Sequence, residues 1–140
     1  MKILATLILL QFSLATFASE CASNMSQLKD LVGNASLSSV WKENTKNKSR
    51  QLTLRLANSG GNLSLDLSVP GGNWAKVTGV ICATGDRDSF VAQVSSMNWG
   101  PEAPGIVKFA GKPKTISLKL PYQSLLKVKA KGMSFDFSPL

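Results

Sequence analysis

Histidine is absent from this 140-residue chain, tyrosine occurs once and cysteine only twice. Without imidazole, the Ser-His-Asp and Cys-His nucleophile arrangements and the commonest protein metal ligand are excluded together. Carboxylates are scarce as well, eight against sixteen Lys and Arg, and Asp86 with Asp88 is the one close pair. They flank Arg87 in a turn after Gly85, and the spaced ligand series of a calcium loop is missing. Solvated turn-formers are therefore the stronger reading than a cation site. Gly60-Gly61 and Gly71-Gly72 fall between strand-like runs rather than ahead of a helix, so no phosphate-cradling loop is expected. No spacing singles out a Ser-Lys dyad. The chain is expected to be non-catalytic, with no cofactor and no metal, and a His-independent hydrolase keeps only a small share.

Long apolar runs are missing beyond the N-terminus. Met1-Lys2 precedes an apolar stretch interrupted at Gln11 and followed by Thr16 and Ala18, small residues at the two positions a signal peptidase requires. This is the plan of a signal peptide over residues 1–18, with a mature start at Ser19. The stretch is shorter than the roughly 20 residues needed to span a bilayer. Glu20 directly before Cys21 argues against lipid attachment at that cysteine. The expectation is a periplasmic or secreted protein with no transmembrane segment after cleavage.

Residues 19–140 fit one β-rich domain able to bury its own core. Without Lys2 that domain holds 15 basic and 8 acidic residues, a net charge of +7, which favours anionic partners. In an oxidising compartment Cys21 and Cys82 are expected to pair. The bridge would close a loop of about 60 residues and contribute roughly 4 kcal/mol on the chain-entropy model.

Met25, Leu28, Leu31 and Val32 recur at helical spacing, with Ser23 or Asn24 as N-cap and Gly33-Asn34 as the stop. Period-two alternation rules the rest. A first strand is expected around Ala35, Leu37 and Trp41. Leu52, Leu54 and Leu56, then Asn58-Ser59-Gly60-Gly61, then Leu63, Leu65, Leu67 and Val69 form a hairpin with one wet face. Trp74 to Ala83 carries apolar residues on both faces and is expected to be central, followed by a strand holding Phe90, Ala92 and Val94. Asn98 to Gly105 contains too many breakers for a regular element. Alternation resumes over Ile106–Ala110, Ile116–Leu120 and Leu126–Ala130, and a change of phase at Gly132 points to a bulge or bend. The fold class is mainly β: a single-domain antiparallel β-sandwich or small β-barrel of about eight strands, preceded by one short helix.

Two features bear on binding. Lys127, Lys129 and Lys131 alternate, placing three ammonium groups on one face of a strand, and Lys119 precedes them in the same basic third of the chain. Such a row attracts phosphate or carboxylate groups by its summed field. Lysines also guard unpaired sheet edges, and on sequence alone that explanation weighs somewhat more. The second feature is Trp99, in the breaker-rich segment before Pro101 and Pro104, as a contact or gating residue or as a plug for the end of the fold. Trp41 and Trp74 are expected in the core.

The leading expectation is a non-catalytic exported binding module for an anionic lipid headgroup or polysaccharide. The alternative is a protein-interaction partner, such as an inhibitor or envelope assembly subunit, meeting an acidic protein surface. Nucleic acid is disfavoured, because the lysine row lacks interleaved aromatics. Asn24, Asn34, Asn47 and Asn62 each begin an Asn-x-Ser acceptor, relevant only in a eukaryotic secretory pathway.

Overall fold

A computed structural model of the chain describes residues 20–103, 114–120, 126–130 and 133–140. The expected signal peptide, the expected strand at Ile106–Ala110, and Lys131 with Gly132 lie outside these residues. The elements are β1 (Cys21–Ala22), α1 (Met25–Val32), β2 (Val40–Glu43), β3 (Thr53–Ser59), β4 (Asn62–Val69), β5 (Gly72–Ala83), β6 (Ser89–Trp99), β7 (Thr115–Lys119), β8 (Leu126–Ala130) and β9 (Met133–Pro139). A 3-10 turn, Lys48–Arg50, lies between β2 and β3.

Among the described residues every pairing is antiparallel, and β2 to β9 pair in chain order; β9 then returns to β2, so these eight strands form a ring. The sheet curls unevenly. The long ladders of β3 to β6 build a half-barrel wall, whereas β2 meets β3 and β9 through three register pairs each. Of the two expected architectures, sandwich or barrel, the curled ring is the barrel.

Alternation decides which way each strand faces. Leu54 opposes Leu67 and Leu56 opposes Leu65, all buried, while Arg55 opposes Asp66 and Asp66 opposes Lys76 on the outer face. The interior is filled: Trp41, Leu54, Leu63, Val77, Ile81, Ile116, Leu118 and Phe137 belong to one buried cluster that also takes in Leu28 and Val32 of α1. Where the β5–β6 register shifts at Thr78/Gly79, a Cβ on Gly79 would stand 2.0 Å from the Gln93 carbonyl oxygen, so only glycine lets the strands approach there.

The helix begins as expected. Asn24 is extended, and its side-chain oxygen accepts the Gln27 N–H at 2.9 Å; Gly33 closes the helix at φ 78°. The Met25 N–H donates to Asn58 Oδ1 at 2.8 Å, which ties α1 to the end of the barrel where β3 turns into β4. Asn24→Ala is expected to cost about 1 kcal/mol of stability by removing the cap, measured as a lower denaturation midpoint with unchanged slope. A cost indistinguishable from zero would show that packing alone starts the helix.

The disulfide is present: Cys21 and Cys82 are register partners in the β1–β5 pair and are bridged. β4 accompanies β5 only as far as Gly79, and β1 takes up pairing at Ile81 and Cys82.

Two local expectations differ from the structure. The first large strand starts at Val40 rather than near Ala35, because Ser38 Oγ donates to the Val40 carbonyl at 2.7 Å and turns the chain there; Leu37 is buried without being in a strand. The change of phase near Gly132 separates two strands instead of bending one, since Ala130 lies opposite Met133 in the antiparallel β8–β9 pair.

Candidate ligand-binding surfaces

The described part of the lysine row lies on β7 and β8. Lys119 of β7 is exposed between the buried Leu118 and Leu120, so it points outward. Lys127 is its direct partner in β8, and Lys129 is opposite Ser117. Residues directly opposite in an antiparallel pair share a face, so Lys127 occupies the register position across from the exposed Lys119, and Lys129 follows two positions further along β8. On the other side Lys127 opposes Asp136 and Lys129 opposes Ser134.

β8 is hydrogen-bonded to β7 on one side and β9 on the other. It is not an edge, so edge protection does not account for its lysines. Two like charges directly opposite across a ladder are unfavourable in isolation. Beside Lys119 lies a surface pocket of about 580 Å³, whose lining includes Thr84, Asp86, Ser89, Val91 and Ser117. Asp86 belongs to a tight turn, where its carbonyl accepts the Ser89 N–H at 3.2 Å and Asp88 adopts φ 66°.

Trp99 is the last residue of β6 rather than part of the following loop. It is partly buried, edge-on to Trp74 with ring centroids 5.3 Å apart, and Trp74 in turn meets Phe135 at 5.6 Å. The segment after it is anchored to β5: Gly100 N–H donates to the Trp74 carbonyl at 2.8 Å and Glu102 N–H to the Asn73 carbonyl at 3.1 Å. A Cβ on Gly100 would lie 2.1 Å from the Asn73 oxygen, which explains the glycine. The structure does not bring Trp99 together with the lysines, which lie on β7 and β8.

Sequence reasoning missed the end of the barrel opposite α1. A cavity of about 810 Å³ opens there, among Glu43, Arg50, Val69, Trp74, Glu102 and Phe135. The signal was available at Glu43: it is two residues after the inward Trp41 and lies opposite the buried Phe137, so period two turns it toward the interior.

No protein-family model matches the chain, and neither any curated protein nor any solved structure is significantly similar to it. Among the described residues no helix is long and apolar enough to cross a membrane.

Proposed function

We propose that this chain is an exported, non-catalytic binding protein that engages an anionic lipid headgroup or polysaccharide through the outer face of β7 and β8. One observation carries the reading: Lys119 stands opposite Lys127, with Lys129 two residues on, in strands whose edges are already paired. Placing these charges together costs stability unless a counter-charge sits between them, and Asp136 is the register partner of Lys127 in β9. An anionic ligand would supply more. The pocket beside Lys119 adds the hydroxyls of Ser89 and Ser117, which donate hydrogen bonds to phosphate or carboxylate oxygens. The disulfide supports the exported setting.

Lys119, Lys127 and Lys129 changed together to Gln provide the test. Vesicles of phosphatidylcholine with and without phosphatidylglycerol, and separately polygalacturonate, distinguish the lipid from the polysaccharide source. With about 1 kcal/mol per lysine near an anionic surface, the triple variant is expected to bind roughly a hundredfold more weakly. Its binding should also depend less steeply on salt. Unchanged affinity and unchanged salt dependence would remove this face as the site.

A further inference from the structure

We infer that the open end of the barrel is a second binding site, independent of the lysine face, and that it takes a neutral saccharide unit. The mouth of a β-barrel is a preferred place for small-ligand pockets, and about 810 Å³ falls within the range such pockets occupy. What the pocket accepts follows from its floor, its rim and its charge.

The floor is apolar and shallow. Leu52, Val69, Trp74 and Phe135 line it, and below them the described interior side chains form one packed cluster, so among the described residues no channel leads down for an acyl chain. A ligand that fits presents a flat apolar face of limited depth. The C–H face of a pyranose ring meets that requirement.

The rim is polar and held in place before any ligand arrives. Glu43 and Leu52 exchange backbone bonds with side-chain support: Glu43 N–H donates to the Leu52 carbonyl at 2.8 Å, and Leu52 N–H donates to Glu43 Oε1 at 3.1 Å. Gln51 Nε2 donates to the Glu43 carbonyl at 2.9 Å, and Ser49 Oγ to Asn47 Oδ1 at 2.7 Å. Glu102 leans over the β4–β5 turn, where a Cβ on Gly72 would meet its Cγ at 3.3 Å. A rim ordered in advance lowers the cost of binding.

Its hydrogen-bonding inventory is mixed. Glu43 and Glu102 are acceptors and Arg50 is a fork of donors, and the side chains of Arg50 and Glu102 are engaged by no other described residue. Sugar hydroxyls donate and accept at neighbouring positions, so one ring can serve both kinds of group. Two carboxylates repel an anion, while Arg50, with Lys46 and Lys48 on the same loop, offers a cation no advantage. An uncharged polyhydroxylated ring is the ligand class that satisfies floor, depth and charge at once.

Amide NMR titration of the full mature protein with maltose, cellobiose and N,N′-diacetylchitobiose tests this. At least one disaccharide should give saturable shifts centred on Glu43–Leu52, Glu102 and the Trp74 indole. Arg50→Ala and Glu102→Ala, both at exposed positions, should each weaken it about tenfold while leaving the spectrum otherwise native. Lys119, Lys127 and Lys129 changed to Gln should leave the affinity as it was, which separates this site from the anionic one. The inference is overturned if none of the three sugars shifts these residues saturably, or if 1-octanol shifts them at lower concentration than any sugar.

Discussion

Reducing the Cys21–Cys82 bridge, or replacing Cys82 with Ser, is expected to lower the stability of the fold by about 2 to 4 kcal/mol and to loosen residues 20–33 before the barrel. The cross-link spans 61 residues, and what it secures has few other attachments. β1 is two residues long and among the described residues pairs only with β5, through Cys21↔Cys82 and Ala22↔Ile81, extended by the Ala83 N–H bond to the Glu20 carbonyl at 2.9 Å. The eight-residue α1 is too short to persist in isolation. It depends on docking Leu28 and Val32 into the barrel end, and freeing β1 removes its tether. Hydrogen exchange with and without reductant should show protection lost first at Met25–Val32, with β3 to β6 retained. Equal protection across the chain after reduction would show that the helix is held by packing alone. Two freely reactive thiols in the native protein without reductant would refute the bridge itself.

The second large effect is expected at Trp41. Its side chain is 1% exposed, its indole N–H donates to the Ser38 carbonyl at 2.8 Å, and its backbone sits between Leu54 of β3 and Pro139 of β9. Trp41→Ala removes the largest fully buried side chain, in a strand that meets each neighbour through only three register pairs. A loss of about 3 to 5 kcal/mol follows from the lost burial and the cavity together. Because β2 holds each neighbour through only three register pairs, the damage should be local as well: amide protection in β2 and β9 should fall more than in β4 and β5. A variant that loses stability evenly, with the β2–β9 seam no more affected than the β4–β5 ladder, would contradict that placement. Trp41→Phe, which refills most of the volume, should recover more than half of the loss.

The β3–β4 hairpin, the strand to Ala83, the capped helix and the disulfide were all legible in the sequence, for one physical reason. Each is a local pattern, either alternation of Leu with polar residues or a cap next to an amphipathic turn, and the fold asks nothing of these segments that their neighbours along the chain do not. Ring closure was not legible, because it rests on β2 meeting β9 across nearly the whole chain, and nothing in Val40–Glu43 or Met133–Pro139 names its partner. The same lack hid the binding surfaces. Lys127 and Lys129 read as edge protection until β8 is seen between β7 and β9. Glu43 and Glu102 belong to distant segments that only the closed sheet brings to one mouth. The sequence places Trp99 in a loop, because Gly100 and Pro101 follow it. In the structure β6 continues to that residue, since its partner Ala75 in β5 still offers a ladder.

The mouth depends on the ring, because it needs the strands carrying Glu43 and Phe135 beside each other, whereas β8 keeps β7 and β9 as partners even in an open sheet. The seam between β2 and β9 is therefore the place to measure. Backbone nuclear Overhauser contacts should link Trp41 with Pro139, Lys42 with Ser138 and Glu43 with Phe137. The amides of Asn44 and Leu140, bonded to Asp136 and Val40 at 2.7 and 2.9 Å, should exchange slowly. Absence of those contacts, with fast exchange at Asn44 and Leu140 while the β3–β4 hairpin stays protected, would mean an open sheet with two free edges.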